Sequence, residues 1–329
     1  MWILAGLIGS ILLAALIYLV LQKSRFHVQR SLEIDATVET AFDAVLDLKS
    51  WPLWSPWLMH EPDTRLDYSK KVNAEGGHCS WDGKLIGAGE LTHLEIRPGR
   101  AIHQQVELRR PFKSGNQIDW EFEKIGARTL VTWEMHGKMP FLWCFMAKRM
   151  ESMITRDCEL GLALLGGYLN QAMPHPQLDF IGDEELEQFH YWAIPCNGNL
   201  RQLEAARRSS IETLRSSPAS QIGLSLTLYH QFDPLGVQFQ AEIAVPIGDN
   251  TPLSNYRQRN FDGGHYFKMT LHGDLRFLPL AWHALTSHCR LHKIKTEPTR
   301  PALEIYHQDP GETDDSNQQV TTLFLPIRK

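Results

Sequence analysis

The sequence predicts an α+β protein with two globular domains behind an apolar N-terminal segment. Three observations carry this reading. Residues 2–21 contain no charged side chain. Between about residues 65 and 139, short runs alternate apolar and polar side chains between glycine-containing turns, and a long helical pattern follows. Alternation of period two marks a half-buried strand. Near the C-terminus the chain repeats itself. Tyr229-His230-Gln231 returns as Tyr306-His307-Gln308 after 77 residues (306 − 229), and Pro246-Ile247 returns as Pro326-Ile327 after 80 (326 − 246).

Length and composition set the outer bounds. A chain of 329 residues, 43% hydrophobic, has room for two cores. The net charge of −5 is spread evenly: residues 22–180 hold 19 basic and 21 acidic side chains (−2), and residues 181–329 hold 14 and 17 (−3). Neither part has the basic excess that tracks a phosphate backbone, which argues against nucleic acid as a partner. The five cysteines, Cys79, Cys144, Cys158, Cys196 and Cys289, are odd in number and form no CxxC pair. That pattern suits buried thiols in a reducing compartment.

Residues 1–22 read as a transmembrane anchor. Twenty helical residues at about 1.5 Å each span roughly 30 Å, the thickness of the bilayer hydrocarbon. Trp2 and Tyr18 stand near the two ends, where interfacial aromatics belong. A cleaved signal peptide would need a basic start, a shorter apolar run and a small-x-small site, and Gln22-Lys23-Ser24 is a poor cleavage context. Lys23, Arg25 and Arg30 follow the span, so the positive-inside rule places both domains on the cytoplasmic side of an inner membrane, single-pass. Gly6 and Ser10, and Ala5 and Gly9, have small-xxx-small spacing, read here as ordinary for such a helix.

The first domain spans residues 26–170. Residues 26–34 alternate as a strand. Thr37 caps a helix with the stripe Val38, Ala41, Phe42, Val45 and Leu48, and two prolines in 51–57 then end helical structure. Strands follow at 101–108, 117–123 and 129–135. The last helix, 141–169, presents Met146, Met150, Met153, Leu160, Leu164 and Tyr168 on one side. Asp119, Glu121 and Glu123 share one strand face and read as solvated. The stretch Arg30-Ser31-x-x-Ile34-x-Ala36, with Phe42, Val45, Asp47, Trp51 and Trp54-Ser55-Pro56-Trp57, resembles the opening of START-like, polyketide-cyclase (SRPBCC) domains. The resemblance implies a helix-grip fold: an antiparallel sheet curled around a long C-terminal helix and enclosing an apolar cavity, in a superfamily of lipid carriers, cyclases and binding proteins. Trp81, Trp120, Trp133, Phe145 and Met146 are the expected lining, with Trp81 and Trp133 as ligand contacts; core filling is the competing reading.

Residues 171–186, with Pro174, Pro176, Gly182 and an acidic cluster, read as a linker. In 187–329 each repeat reads strand, helix, strand, strand, with helices near 199–215 and 275–292. The run Tyr266 to Asp274, then Leu278-x-x-Ala281-Trp282-x-x-Leu285, then Pro301-x-x-Glu304-x-Tyr306-x-x-Asp309-Pro310, then Thr321-Thr322 and Pro326-Ile327, is similar to the GyrI-like small-molecule-binding domain. The same domain is the effector-binding half of some AraC-type and multidrug-responsive activators. The resemblance implies a duplicated β-α-β-β domain that binds hydrophobic or cationic compounds between its halves, with a ligand-contacting glutamate at Glu304. Some relatives of that fold are hydrolases using a cleft glutamate and tyrosine.

The residues support a ligand site on their own terms. Glu304 and Tyr306 are two apart on a strand and share a face. A carboxylate walled by aromatics attracts cations by Coulomb and cation–π terms. The other candidate contacts are Trp282 on the helix stripe, Tyr229 in the first repeat, and Tyr191 and Trp192 on its first strand. Thr227 occupies in the first repeat the place Glu304 takes in the second, so the fold does not require a carboxylate there.

No GxSxG, P-loop, HExxH or paired CxxC is present, Gly87-Ala88-Gly89 lacks a third glycine, and His288 and His292 read as a solvated helix face beside Arg290 and Lys293. The expectation is therefore no cofactor and no metal. The reading is a membrane-anchored protein that senses, sequesters or transfers a hydrophobic or amphiphilic, cation-inclined ligand. The alternatives are a hydrolase with Glu304 as general base and Tyr306 as donor, or a membrane-tethered scaffold or regulatory protein.

Overall fold

The structure is a computed structural model that describes residues 25–138, 146–198, 207, 209, 226–232, 239–246, 257–307 and 316–329. The apolar segment 1–22, Phe145 and most of the helix expected at 199–215 lie outside the described residues. Among the described residues no helix is long and apolar enough to cross a membrane. The chain divides into two compact units, Met1–Met173 and Pro174–Lys329.

The first unit runs β1 (Arg25–Ile34), α1 (Val38–Leu46), two 3₁₀ turns (Trp51–Leu53 and Leu58–His60), β2 (Arg65–Tyr68), β3 (His78–Asp82), β4 (Ala88–Arg97), β5 (Ala101–Arg110), β6 (Ser114–Ile125), β7 (Arg128–Lys138) and α2 (Ala147–Leu169). The strands form one antiparallel sheet in the order β1-β7-β6-β5-β4-β3-β2. Thr37 caps α1 as its position predicts, its hydroxyl accepting from the Thr40 amide at 3.2 Å, and Ala41, Phe42 and Val45 are buried.

The face of α2 matches the sequence expectation at Leu160, which is buried, and at Met150 and Leu164, which pack against the core, and differs from it elsewhere. Ile154, Cys158, Gly161, Leu162 and Leu165 are buried, while Tyr168 is exposed. Small residues decide this, because they let the helix approach the sheet. A methyl group at Gly161 would stand 2.6 Å from the Trp133 ring. Trp133 is in turn stacked on Trp120, with centroids 4.4 Å apart, and meets the Trp57 ring edge-to-face at 5.6 Å.

A buried polar chain crosses the same core. The Trp120 Nε1–H donates to Gln104 Oε1 at 3.0 Å, Gln104 Nε2 lies 3.2 Å from His93 Nδ1, and His93 Nε2 lies 3.0 Å from the Leu46 carbonyl. Each group is satisfied when His93 is neutral with its proton on Nε2. Burial lowers the pKa of His93, which favours that state.

The second unit runs β8 (Gln177–Leu186), β9 (Phe189–Gly198), β10 (Leu226–Phe232), β11 (Phe239–Pro246), β12 (Arg257–Phe261), β13 (Gly264–His272), α3 (Leu278–Leu291), β14 (Ala302–Tyr306) and β15 (Val320–Pro326). Its sheet order is β12-β9-β11-β10-β14-β15-β13-β8. The order is symmetric about the β10–β14 pair, as the repeat predicts. The region read as a linker is corrected: 177–186 is strand β8, which pairs with β13 along its whole length. β12 pairs with β9 in the same way. Each repeat is thus β-β-α-β-β, and its first strand edges the other repeat. The polar, alternating character that made 177–186 read as linker is that of an edge strand with one side in water.

Candidate functional site

The register of the central pair builds the site. Thr227 on β10 lies directly opposite Glu304 on β14. These repeat-equivalent positions, threonine in one copy and glutamate in the other, therefore meet where the pseudo-twofold axis crosses the sheet. Alternation along each strand puts Tyr229 and Tyr306, also repeat equivalents, on the same face. Leu226, Leu228 and Leu303 point to the opposite face, into a core with Tyr191, Ala193, Phe261, Tyr266 and Phe324.

Glu304 is fully buried. Trp282 Nε1–H, from α3, donates to Glu304 Oε1 at 2.6 Å, and the Tyr306 hydroxyl donates to Oε2 in a short hydrogen bond. The Thr227 hydroxyl, 3.2 Å from the Tyr306 oxygen, is then the donor in that pair. The Tyr229 ring packs edge-to-face on Trp282 at 6.0 Å. The guanidinium of Arg207, itself buried, stands 3.9 Å over the Tyr306 ring. Its Nη1 has no hydrogen-bond partner among the described residues.

Burial raises the pKa of Glu304, against hydrogen bonds from Tyr306, Trp282 and Tyr229 and the charge of Arg207. Burial also pushes the Tyr229 and Tyr306 hydroxyls well above the ordinary tyrosine range, with the Glu304 charge adding to it. A carboxyl raised on folding favours the folded state most below the unfolded carboxyl pKa of about 4.3, and that advantage is lost as pH rises through the folded value. Glutamine cannot ionise. The melting temperature of Glu304→Gln relative to wild type is therefore expected to climb from about pH 4 upward. Thermal melts across this range check it; a difference that is flat with pH would mean that Glu304 ionises in the folded protein as easily as in the unfolded chain.

Of the residues singled out from sequence, Glu304, Tyr306, Trp282 and Tyr229 come together. Trp192 is on the same face but three strands from β14, and Tyr191 points the other way. The Tyr191 hydroxyl donates to Glu242 Oε2 at 3.0 Å, and Glu242 is held by a direct ion pair with Arg259 at 3.1 Å. Neighbours on a strand face opposite sides, so Tyr191 and Trp192 cannot both reach the Glu304 face. Trp81 and Trp133 belong to the first unit. Trp133 is fully buried in the tryptophan layer, and Trp81 is partly buried on β3, four strands from β7. The indole N–H groups of Trp51 and Trp133 are buried without a hydrogen-bond partner among the described residues.

Arg207 is the site residue the sequence reading missed, although a signal for it exists. Aligned without gaps at an offset of 75, residues 189–207 match 264–282 at His190/His265, Tyr191/Tyr266, Gly198/Gly273, Leu200/Leu275, Arg201/Arg276, Leu203/Leu278 and Ala206/Ala281. Arg207 then falls on Trp282 (282 − 75). Thr, Tyr and Arg from one repeat therefore face Glu, Tyr and Trp from the other.

Residues 25–169 match the model of a family described as polyketide cyclase / dehydrase and lipid transport. Solved structures are also similar to parts of this chain. The C-terminal domain of EcmrR is 14% identical over 47% of this chain and 98% of that one, with a TM-score of 0.40. SAV2435, solved bound to tetraphenylphosphonium, is 18% identical over 47% and 94%, with a TM-score of 0.34. CalU16 from Micromonospora echinospora is 15% identical over 44% and 85%, with a TM-score of 0.32. No curated protein matches the chain. The first unit therefore carries a domain similar to the polyketide cyclase / dehydrase and lipid-transport family.

Proposed function

We propose that the protein is a membrane-anchored binder of hydrophobic or amphiphilic small molecules, which it senses, sequesters or passes on. In the second unit the ligand is a lipophilic cation, taken at the Glu304 face. The observation that carries this is one fully buried carboxylate set among Trp282, Tyr229 and Tyr306 on the axis of a duplicated domain. An incoming cation offsets the cost that burial imposes on the ionised carboxylate, and the rings supply cation–π attraction. Arg207 over the Tyr306 ring supports the same reading: a flat, diffuse cation already rests there. In the first unit the family's lipid-transport description and the indole N–H groups of Trp51 and Trp133, unpaired among the described residues, support an apolar ligand bearing an oxygen acceptor. The charge-free run 2–21 supports the anchor, and Lys23, Arg25 and Arg30 behind it support a cytoplasmic location for both units.

The test is a titration of the full chain, wild type and Glu304→Gln, with tetraphenylphosphonium and with tetraphenylborate, its anionic counterpart of the same shape. Binding of the cation at least tenfold tighter than the anion, with the preference lost in Glu304→Gln and the compound recovered intact, is the expected result. Equal binding of both ions, or of neither, overturns the cation reading. Turnover of an ester or amide panel by wild type alone would favour a hydrolase with Glu304 as base. Against that, both Glu304 oxygens already accept side-chain hydrogen bonds in a fully buried site, and a base needs an oxygen facing water.

A further inference from the structure

The outer face of the first sheet gathers a histidine–carboxylate cluster from four adjacent strands. Asp119 on β6 lies opposite Glu134 on β7 and opposite His103 on β5. His136 on β7 lies opposite His27 on β1 and Gln117 on β6. Asp119, Glu134 and His136 can each turn one donor atom to within 4.8 Å of the others.

The hydrogen bonds around the cluster leave its centre electron-rich. His136 Nε2 is 2.6 Å from Gln117 Oε1, which can only accept, so the Nε2 proton is spent there. In the neutral ring His136 Nδ1 then carries a lone pair. It points toward Asp119 Oδ2 at 3.6 Å and Glu134 Oε1 at 3.9 Å. Both distances are too long for a hydrogen bond, and Nδ1 is shielded from solvent with no hydrogen-bond partner among the described residues. Two carboxylates directly opposite each other on neighbouring strands also repel. Donor atoms of a tetrahedral zinc ion sit about 3.4 Å apart, from bonds of about 2.0–2.1 Å. The two separations from His136 Nδ1, 3.6 and 3.9 Å, are within about half an ångström of that spacing.

The surroundings match an outer shell. His103 Nδ1 holds the other Asp119 oxygen at 2.5 Å, His27 Nε2 holds Glu134 Oε1 at 2.8 Å, and Gln117 fixes the His136 tautomer. Ligating side chains oriented by such partners are the usual arrangement at metal centres. We propose that Asp119, Glu134 and His136 form a divalent transition-metal site, filled by zinc or a similar ion, with its remaining position open to the solvent side of the sheet. One imidazole and two carboxylates favour such an ion over calcium or magnesium. This site is independent of the Glu304 face.

The test uses the full chain without a histidine tag, stripped with a chelator and titrated with Zn²⁺ against a chromophoric competitor, then with Co²⁺ followed by visible absorption. One equivalent of each ion is expected to bind, and Zn²⁺ to raise the melting temperature. His136→Gln and Asp119→Asn should weaken Zn²⁺ binding at least 100-fold. His103→Gln, acting only on a ligand's orientation, should weaken it about 10- to 100-fold. The pair His288→Gln and His292→Gln should leave it unchanged. Metal-free melts of all variants near the wild-type value tie the loss to the site rather than to unfolding. Absence of saturable binding, or binding indifferent to Asp119 and His136, overturns the proposal. If His136→Gln fails to fold, the His103→Gln affinity decides alone.

Discussion

Replacing Arg207 with methionine is expected to tighten binding of tetraphenylphosphonium at least tenfold near pH 8. The guanidinium occupies the position over the Tyr306 ring, 3.9 Å from its centroid, that a cationic ligand would seek. It also supplies part of the charge that steadies Glu304. A ligand must therefore displace an internal cation held at no translational cost, and methionine removes that competitor while keeping an unbranched apolar chain against the ring. Glu304→Gln on the same background should remove the gain, because the attraction resides in the carboxylate. Titration of the single and double variants measures the coupling between the two groups. If Arg207→Met weakens cation binding while the melting temperature holds, Arg207 recognises the ligand rather than competing with it, and the ligand class shifts toward anions.

The second large effect belongs to the first unit. Trp133→Ala is expected to cost about 3–5 kcal/mol, the range for emptying a buried aromatic position. Trp133 is fully buried, stacked on Trp120, edge-on to Trp57 and pressed against Gly161 of α2. Removing it opens a cavity that the surrounding rings cannot close without leaving their rotamers. Trp81→Ala, at a partly buried position on β3, should cost clearly less. Hydrogen exchange of the β6 and β7 amides reads the loss locally. Retained protection, with loss of a lipid ligand, would instead make Trp133 a pocket wall.

These two sites show how far the sequence could be read. In the first unit, the alternation of 101–108 and 117–123 and the Thr37 cap located β5, β6 and α1, because strand period and capping chemistry are local. The face of α2 was read only in part: Leu160 is buried as the stripe has it, whereas Tyr168 is exposed. Its methionines fit a helical stripe, but the buried face was chosen by Cys158 and Gly161, which matter only because a tryptophan ring lies opposite. The strand at 177–186 was misjudged for a similar reason. Its partner β13 lies about 80 residues away, and an edge strand looks like a loop until that partner is known.

At the candidate site, Glu304, Tyr306, Trp282 and Tyr229 were legible because the repeat and the strand period place them without knowledge of register. Arg207 was missed because only the gap-free alignment of the repeats at an offset of 75, and nothing local, pairs it with Trp282. The sequence by itself determined most of the strands and helices, the duplication, the apolar segment and a departure from symmetry at Thr227 and Glu304. Only the tertiary structure decided that these two positions face each other, that Arg207 joins them, and that His27, His103, Asp119, Glu134 and His136 meet on one face. Periodicity is written in neighbouring residues, whereas register is settled by which apolar faces can be buried together.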